Sequence, residues 1–260
     1  MKNPKIALVT GAAKRLGKAI AISLAKDGWD VAIHYGTSKE AAAETVQEIL
    51  ATGQRGVALQ ADLSDEKQAN QLIARCKDAL GVPTCLVNNA SLFQYDVASS
   101  FSYAALDRHM TTNVAAPLIL SRDLYRQHAK LKAEGGEVPS GVIINLLDQK
   151  LANLNPDFLS YTLSKAALHS ATTLLAQSFA PLLRVVGVAP GITMVSGDQS
   201  EDGFAKAHAM TPLGKSSAPE DIAGAVVYLA KSNAITGTTL YVDGGQHLLS
   251  TDRDVMFLTE

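Results

Sequence analysis

Short apolar runs alternate with longer helical segments throughout this chain of 260 residues, and this alternation restricts the fold more than any other feature. Most of the runs are continuously apolar, which is typical of strands buried on both faces of a parallel sheet. We predict strands at residues 5–9, 30–35, 56–60, 84–88, 141–145, 184–188 and 239–242. Strict β-α alternation predicts an α/β fold: a doubly wound parallel sheet of about seven strands, with helices on both faces and right-handed crossovers.

The segments between these strands have the apolar spacing of helices. We predict helices at residues 16–27, 39–52, 67–80, 103–134, 158–182 and 219–231. No linker, repeat or low-complexity segment interrupts the pattern, so we predict one domain over residues 1–260. Two connections are longer than the others. Residues 132–140 are predicted to be a polar surface loop, and residues 191–219, with a short helical patch near 204–210, a substrate loop.

Composition argues against several classes of function. An apolar content of 47%, a charged content of 18% and a net charge of −2 are typical of a globular protein without electrostatic attraction to nucleic acid or anionic membranes. No apolar run is as long as a membrane span, and residues 1–4 lead into the first strand without a signal peptide. Cys76 and Cys85 are expected to be reduced and structural, and we expect no metal site. We therefore expect a cytoplasmic protein.

The first predicted strand ends in the turn Thr10-Gly11-Ala12-Ala13-Lys14-Arg15-Leu16-Gly17, and a helix follows. Gly11 permits a tight turn with close approach of the backbone to a phosphate, and Gly17 lets the helix pack against the strand. The helix N-terminus offers free N–H groups and a positive dipole to a pyrophosphate. Two glycines alone are a weak signal, but their place between the first strand and the first helix predicts a Rossmann-type dinucleotide site.

The end of the second strand indicates which dinucleotide is bound. NAD-selective sites place an acid there for the ribose 2′-hydroxyl, whereas the sequence His34-Tyr35-Gly36-Thr37-Ser38-Lys39 has no acid before Glu40. The hydroxyls of Thr37 and Ser38, with the cations Lys14 and Arg15, suit a 2′-phosphate. We predict NADP(H) as the cofactor; the same turn could also cap the next helix through Ser38.

Two further loops follow the third and fourth strands. Asp62 is placed to accept a hydrogen bond from the adenine amino group, although Asp62, Ser64 or Asp65 could instead cap the next helix. Asn89 can tie neighbouring loops together, and the small side chain of Ala90 leaves room for a ribose. Both loops are therefore predicted to border the cofactor.

Tyr161 and Lys165 are the first candidates for catalysis. They stand four residues apart in a predicted helix, so their side chains share a face. The pKa of a phenol is near 10, and a fixed ammonium beside it favours the phenolate and lowers that pKa. The pair predicts a proton donor and acceptor of the kind that reduction of a carbonyl or imine requires. Asp148 lies thirteen residues before Tyr161, just after a predicted strand.

Together these pieces resemble the short-chain dehydrogenase/reductase family over residues 6–245. The matching residues are Thr10, Gly11, Gly17, Asp62, Asn88, Asn89, Ala90, Asn113, Tyr161, Lys165, Pro190, Gly191 and the sequence Val242-Asp243-Gly244-Gly245. The resemblance implies that Tyr161 donates a proton. It implies that Lys165 binds the nicotinamide ribose and lowers the pKa of Tyr161, and that Asn113 holds a water chain leading to Lys165. Family members often form dimers or tetramers through the helices predicted here at 103–134 and 158–182, so a homo-oligomer is expected.

The resemblance also extends the predicted cofactor site to the loop after the sixth strand, where Pro190, Gly191 and Ile192 would line the nicotinamide face. The predicted cofactor-binding residues are Gly11, Lys14, Arg15, Leu16, Gly17, Tyr35, Thr37, Ser38, Asp62, Leu63, Asn89, Ala90, Ser91, Tyr161, Lys165, Pro190, Gly191 and Ile192.

Asp148 departs from the common pattern of the family, in which a serine polarises a carbonyl substrate at this position. A carboxylate is a poor donor to a carbonyl oxygen but a good acceptor for the N–H groups of an amino-pyrimidine, and with a raised pKa it can relay a proton. With Arg15, Ser91 and Phe93, the chain resembles pteridine reductases and dihydromonapterin reductases. That resemblance implies a pterin between the nicotinamide and Phe93, contacts from Arg15 and Ser91, and Asp148, Tyr161 and Lys165 as the catalytic set.

Simpler interpretations remain open for three of these residues: Phe93 as a core side chain, Asp148 as a solvent-facing loop acid, and Arg15 as a ligand of phosphate only. The predicted function is NADPH-dependent reduction of a small pterin-like molecule, a pterin or dihydropterin and also dihydrofolate. The alternatives are a carbonyl reductase of another ketone or alcohol, and a non-catalytic NADP(H)-binding protein. The tail at 247–260 is expected to cover a neighbouring site or subunit.

Overall fold

Seven parallel strands form one sheet in the computed structural model, which describes residues 5–136, 140–195 and 200–259. The strands are β1 (Ile6–Val9), β2 (Asp30–Tyr35), β3 (Gly56–Gln60), β4 (Cys85–Asn88), β5 (Gly141–Leu146), β6 (Leu183–Pro190) and β7 (Thr239–Val242). They lie in the order β3-β2-β1-β4-β5-β6-β7. The order reverses between β1 and β4, and a crevice at the carboxyl ends of the strands is expected at such a reversal. The predicted fold class is confirmed.

The helices connect successive strands. They are α1 (Arg15–Lys26), α2 (Lys39–Leu50), α3 (Glu66–Leu80), α4 (Tyr103–Met110), α5 (Ala116–Ala133), α6 (Leu159–Phe179), α7 (Glu201–Ala209) and α8 (Pro219–Lys231). Short 3-10 turns at Gln149–Ala152, Gln246–Leu248 and Val255–Phe257 complete the regular structure. No helix in these ranges is both long enough and apolar enough to cross a membrane.

The sheet separates two main hydrophobic clusters, which is why its central strands are mostly apolar. On one face, Ile20 of α1 and Val226 of α8 pack over the sheet. On the other face, Leu72 of α3 and Leu124 of α5 do the same. Residues of β1 and β4 are buried throughout, so neither strand has a solvent face to carry polar residues.

The helix predicted at 103–134 is continuous from Tyr103 to Ala133, but a π-helical turn at Thr111–Ala115, which was not predicted, divides it into α4 and α5. Pro117 stands in the first turn of α5 and has no N–H to donate to the carbonyl of Asn113, four residues earlier. The wider turn accommodates this missing donor, and it contains the candidate residue Asn113.

The other boundaries differ from the predictions by a few residues. The helical patch predicted near 204–210 is α7, within the long connection at 191–219. Residues 196–199 of that connection, residues 137–139 of the predicted surface loop, and residues 1–4, predicted to contain no signal peptide, lie outside the described residues. Cys76 and Cys85 are free and buried, and burial raises the pKa of each thiol to about 12, so the prediction of reduced structural cysteines is confirmed.

Candidate active site

The turn after β1 is built for close contact with another group. Gly11 has a φ of +62°, in the left-handed region, and a Cβ there would lie 3.0 Å from the Cα of Ala90. A Cβ at Gly17 would lie 2.3 Å from the carbonyl oxygen of Gly11. The residue before α1 is Lys14, whose side chain makes no capping hydrogen bond. The N-terminal N–H groups of α1 are therefore left without a side-chain cap, as an anion-binding helix end requires.

Asn89 fastens this turn to the loop after β4. Its Nδ2 donates to the carbonyl oxygens of Thr10, at 2.8 Å, and Gly11, at 3.2 Å. The hydroxyl of Thr10 accepts from the backbone N–H groups of Asn89 and Ala90, each at 3.0 Å. The prediction that an asparagine ties neighbouring loops together is confirmed.

A cleft of about 650 Å³ runs along the carboxyl ends of β1 to β4. The predicted cofactor residues that line it are Gly11, Lys14, Arg15, Leu16, Gly17, Thr37, Asp62, Leu63, Asn89, Ala90 and Ser91. Tyr35 and Ser38 are not among its lining residues. The side chain of Tyr35 packs against the core, and Ser38 precedes α2 without capping it, so the helix-cap interpretation of Ser38 is wrong.

Asp62 borders this cleft without capping the next helix. Its carboxylate accepts from the backbone N–H and the hydroxyl of Ser64, at 2.9 and 2.7 Å. Asp65 caps α3 instead, by accepting from the N–H groups of Lys67 and Gln68. The prediction that Asp62 faces the cofactor is compatible with this geometry.

His34 was not predicted to take part, yet it joins three strand ends beneath the cleft. Its Nδ1 accepts from the N–H of Gly11 at 3.2 Å, so its Nε2 carries the proton and donates to the carbonyl oxygen of Ala61 at 3.0 Å. Burial lowers its pKa and favours this neutral tautomer. A histidine at a strand end gives no sequence signal for this role, because both of its partners are backbone groups.

Asp148 and Tyr161 form a direct contact in a second cleft, which adjoins the first. The hydroxyl of Tyr161 donates to Oδ2 of Asp148 at 2.7 Å. The other oxygen, Oδ1, accepts from the N–H of Lys150 at 2.9 Å, which fixes the carboxylate at the start of the 3-10 turn after β5. The interpretation of Asp148 as a solvent-facing acid is therefore wrong.

Lys165 lies one helical turn after Tyr161, as predicted. Its ammonium is 5.6 Å from the centre of the Tyr161 ring and donates to the carbonyl oxygen of Leu146 at 2.7 Å. Burial lowers the pKa of Lys165 to about 8, although the nearby charge of Asp148 acts in the opposite direction.

The expected lowering of the Tyr161 pKa is wrong in this structure. Burial and the carboxylate of Asp148 raise the pKa of Tyr161 well above its ordinary value. The hydroxyl is bonded to the anion, whereas the ammonium sits over the ring. The pKa of Asp148 is also raised, mainly by burial, and the charge of Asp254 adds to the effect. Tyr161 is therefore a neutral phenol at neutral pH, which holds a proton ready for donation.

Asn113 braces the site from the π-helical turn. Its Oδ1 accepts from the N–H of Leu92 at 2.7 Å, and its Nδ2 donates to the carbonyl oxygen of Leu92 and to the hydroxyl of Ser164, both at 2.9 Å. These side-chain bonds reach the loop after β4 and α6 rather than Lys165. The predicted water chain from Asn113 to Lys165 stays a prediction.

The second cleft, of about 300 Å³, meets the first at Arg15 and Ser91. The predicted residues that line it are Arg15, Leu16, Asn89, Ser91, Phe93, Asp148, Tyr161, Lys165, Pro190, Gly191 and Ile192. The predicted substrate residues are therefore brought together. In the described part of the chain, no group of three or more His, Cys, Asp or Glu side chains could hold a metal ion.

Phe93 presents an aromatic surface in this cleft. It stacks on Phe158, with ring centres 4.3 Å apart and planes inclined by 18°, and meets the ring of Tyr161 edge-on at 4.7 Å. Its exposed fraction is 43%, so the interpretation of Phe93 as a core residue is wrong.

Arg15 occupies an unusual backbone conformation between the two clefts. Its φ is +53°, in the left-handed region that disfavours residues with a Cβ by about 1–2 kcal/mol. Its guanidinium donates to the carbonyl oxygen of Val195 at 2.6 Å. A strained non-glycine residue at such a junction is a candidate for a functional role.

Comparison with known proteins identifies the family. A family model described as enoyl-(acyl carrier protein) reductase matches residues 11–247. The chain belongs to the short-chain dehydrogenase/reductase family. Within that family it is an NAD(P)-dependent oxidoreductase.

Individual members of the short-chain dehydrogenase/reductase family resemble the chain over nearly its whole length. The FolM alternative dihydrofolate reductase 1 of Brucella canis, crystallised with NADP, is 36% identical with a TM-score of 0.85, covering 94% of this chain and 95% of that one. The 3-oxoacyl-[acyl-carrier-protein] reductase FabG of Staphylococcus aureus is 32% identical over 95% of this chain and its own full length. An L-rhamnose 1-dehydrogenase (NAD(P)(+)) of a Sphingomonas species is 32% identical over 94% of this chain and 96% of its own length.

Several lining residues of the second cleft in this short-chain dehydrogenase/reductase were not predicted from the sequence. They are Gln149, Lys150, Gln246, Leu249, Thr251, Asp254, Val255 and Met256. Six of them belong to the C-terminal part of the chain, which returns to the site after β7. No local pattern identifies them, because their role depends on where the chain goes after its last strand.

Proposed function

We propose that this protein is an NADPH-dependent reductase of pterins and dihydropterins, with dihydrofolate as a further substrate. The observation that carries the proposal is the hydrogen bond from the hydroxyl of Tyr161 to the carboxylate of Asp148, 2.7 Å long. A carbonyl reductase needs a neutral donor beside its tyrosine, whereas this site has an acid. An acid can accept from the N–H groups of an amino-pyrimidine ring and, when protonated, can supply a proton.

The walls of the cleft suit a flat aromatic substrate. Phe93 is half exposed and held in place by Phe158 behind it, so its ring is fixed before any ligand binds. Aromatic rings favour offset stacking, and a pterin offers a planar surface of similar size. The guanidinium of Arg15 borders the same cleft and can donate to polar edges of such a ring.

The residues of the first cleft fit a dinucleotide. The backbone of Gly11 and Gly17 leaves no room for side chains, and the adjacent start of α1 lacks a side-chain cap. Lys14 and Arg15 place two cations along this cleft, and Thr37 places a hydroxyl there, which together suit a 2′-phosphate. The NADP found with the Brucella canis relative agrees with this assignment. NADPH, when bound, supplies the hydride for the carbon of a C=N bond.

The chain's own residues would supply the accompanying proton. Tyr161 donates its hydroxyl proton to the nitrogen of the reduced C=N bond. Asp148, whose pKa is raised, then takes up a proton from water in the cleft and passes it to the tyrosine oxygen, which restores the neutral phenol and the carboxylate. Lys165 donates to the carbonyl oxygen of Leu146, and this hydrogen bond holds the ammonium charge beside the Tyr161 ring as the phenol loses its proton.

Substrate turnover tests the proposal. NADPH oxidation is followed with dihydrobiopterin, dihydromonapterin and dihydrofolate, and with a 3-oxoacyl thioester and a cyclic ketone for comparison. We expect turnover of at least one dihydropterin with kcat/KM well above that of either ketone. Turnover of ketones alone would favour the carbonyl reductase, which the names of the Staphylococcus aureus and Sphingomonas relatives also suggest. Binding of NADPH without any turnover would favour a non-catalytic role.

A further inference from the structure

The C-terminal segment of the chain forms one wall of its own substrate cleft. We call residues 249–257 the strap. The strap follows β7 and the turn at Gln246–Leu248, contributes to the lining of the cleft, and ends in the turn Val255–Phe257. Its residues that line the cleft are Leu249, Thr251, Asp254, Val255 and Met256.

Asp157 anchors the strap to the loop before α6. Its carboxylate, with a side chain only 1% exposed, accepts two hydrogen bonds from Arg253, at 2.8 and 2.9 Å, and one from the N–H of Asp254, at 2.7 Å. The hydroxyl of Tyr95 donates to it at 3.2 Å. Bidentate pairing of arginine with a carboxylate fixes geometry as well as charge, so the strap is held in one position.

Lys150 links the strap to the candidate catalytic acid. Its buried ammonium donates to Oδ2 of Asp254 at 3.2 Å and to the carbonyl oxygen of Asp157 at 2.7 Å. The N–H of the same lysine donates to Asp148 at 2.9 Å. One residue therefore contacts the catalytic acid through its backbone and the strap through its side chain.

Aromatic contacts connect the strap to the stacking surface. Phe257 lies 5.4 Å from the ring of Tyr95 and 6.1 Å from Phe158, and Phe158 is the ring on which Phe93 stacks. The guanidinium of Arg253 covers the ring of Phe257 at 5.0 Å. The strap thus reaches both sides of the cleft, the polar side through Lys150 and the aromatic side through Phe158.

We propose that the strap is a substrate-positioning wall of its own subunit's active site, and that Arg253 and Asp157 are positioning residues that set the width of the cleft for a flat ring. The substrate class rests on the function proposed above, whereas the anchoring of the strap does not. Loss of Arg253 leaves a buried carboxylate without its cation, which favours release of the strap. A released strap weakens substrate binding and leaves Tyr161, Asp148 and the dinucleotide cleft in place.

Arg253→Ala tests the proposal against a matched control, Arg55→Ala. Arg55 also donates twice to a single carboxylate, that of Asp30, at 2.9 and 2.8 Å, but at the amino ends of β2 and β3, away from both clefts. We expect Arg253→Ala to raise the KM for a dihydropterin about tenfold with kcat changed less than about twofold, as loss of a binding contact predicts. The dissociation constant of NADPH is expected to stay unchanged. Arg253→Lys is expected to recover part of the KM, and Arg55→Ala to leave the KM unchanged.

Hydrogen exchange of residues 251–257 supplies a second readout that needs no turnover. We expect faster exchange there in Arg253→Ala than in the wild type or Arg55→Ala, and slower exchange in the wild type when NADPH and methotrexate are added together. If the wild type does not turn over pterins, the proposed function is overturned but the strap proposal is not. Hydrogen exchange then tests whether Arg253 anchors the strap. The KM comparison is repeated with any ketone that the protein reduces. Unchanged KM and unchanged exchange in Arg253→Ala would overturn the strap proposal. If Arg253→Ala does not fold, two other measurements test the strap proposal: hydrogen exchange in Arg253→Lys, and the change in exchange of the wild type when NADPH and methotrexate are added.

Discussion

At position 148 a partly buried carboxylate accepts a hydrogen bond from the hydroxyl of Tyr161, and this contact influences the pKa of both side chains. Burial raises the pKa of each group, so the phenol stays protonated and the acid holds a proton more readily than it would in water. The ammonium of Lys165, with a pKa of about 8, lies 5.6 Å from the centre of the tyrosine ring. The site is therefore arranged for proton donation, at a cost in stability.

That cost can be measured with Asp148→Asn. The single oxygen of an asparagine can still accept from the N–H of Lys150, and its NH2 group can donate to the hydroxyl oxygen of Tyr161, but the side chain carries no charge. Because the folded pKa of Asp148 is raised above its unfolded value, the charged acid destabilises the folded state as pH rises through that folded value. We expect Asp148→Asn to have a higher Tm than the wild type at pH 8. The gain should shrink as pH falls towards the unfolded pKa of about 3.9.

Thermal unfolding followed by circular dichroism at several pH values checks this expectation. Asp78→Asn is the control, because Asp78 is exposed on α3 and lies outside both clefts. A Tm gain for Asp148→Asn that is independent of pH, or no gain at all, would show that the carboxylate is not destabilising in the folded protein.

Among the helices, α1 has a start whose close packing depends on the glycine at position 17. Gly17 lies where a Cβ would meet the backbone of Gly11 at 2.3 Å and the side chain of Asn89 at 2.6 Å. Backbone cannot give way as a flexible side chain can, so the helix itself would have to move. The same helix end forms the floor of the dinucleotide cleft.

Gly17→Ala and Gly224→Ala are therefore a matched pair. Both glycines are helical, but a Cβ at Gly224 in α8 would meet nothing within 4 Å. We expect Gly224→Ala to stabilise the fold by up to about 1 kcal/mol, since alanine is the better helix former. Gly17→Ala should destabilise it by about 1–3 kcal/mol through overpacking and weaken NADPH binding. Urea unfolding and NADPH fluorescence titration measure the two effects. Equal stability changes in the two variants would contradict the packing account.

Helices and strands could be predicted from the sequence wherever the local spacing of apolar residues determines them. Short apolar runs mark the strands, so β2, β3 and β7 have the predicted bounds, and each end of the other strands lies within two residues of its prediction. The π-helical turn between α4 and α5 was not predicted because helical spacing continues through it, although Pro117 follows it closely. The strap was not predicted as a wall of its own site, because Asp157 and Arg253 are 96 residues apart and only the tertiary fold brings them together.

For the whole molecule, the strand order explains why the candidate residues meet. The crevice between β1 and β4 receives the glycine turn, the loop containing Ser91 and Phe93, and the 3-10 turn after Asp148, while α6 brings Tyr161 and the strap closes the far side. Gly11, Asn89 and Asp148 were found from the sequence because each follows a predicted strand, and Tyr161 and Lys165 because they stand one helical turn apart. Their contacts, and the raised pKa of Tyr161, depend on the assembled crevice.

The preference for NADPH over NADH depends on the whole molecule, because the residues behind it lie in loops after two different strands. Lys14 follows β1 and Thr37 follows β2, and both line the same cleft, in which no acid lies at the end of β2. We expect a KM for NADPH at least about tenfold below that for NADH, since charge-assisted contacts to the 2′-phosphate are among the stronger hydrogen bonds. Steady-state kinetics with both cofactors check this, and Lys14→Ala should reduce the difference. A lower KM for NADH would refute the preference.

The identity of the side chain at position 148 tests the central claim most directly. We would measure kcat/KM for a dihydropterin with saturating NADPH in the wild type, Asp148→Ser and the exposed control Asp78→Ser. Loss of a positioned acid predicts a fall of at least about a hundredfold in Asp148→Ser. NADPH binding is expected to remain within about twofold of the wild type, because the dinucleotide cleft is unchanged. Retention of dihydropterin turnover in Asp148→Ser would contradict the account, since the carboxylate would then not be what directs this site towards a nitrogen heterocycle.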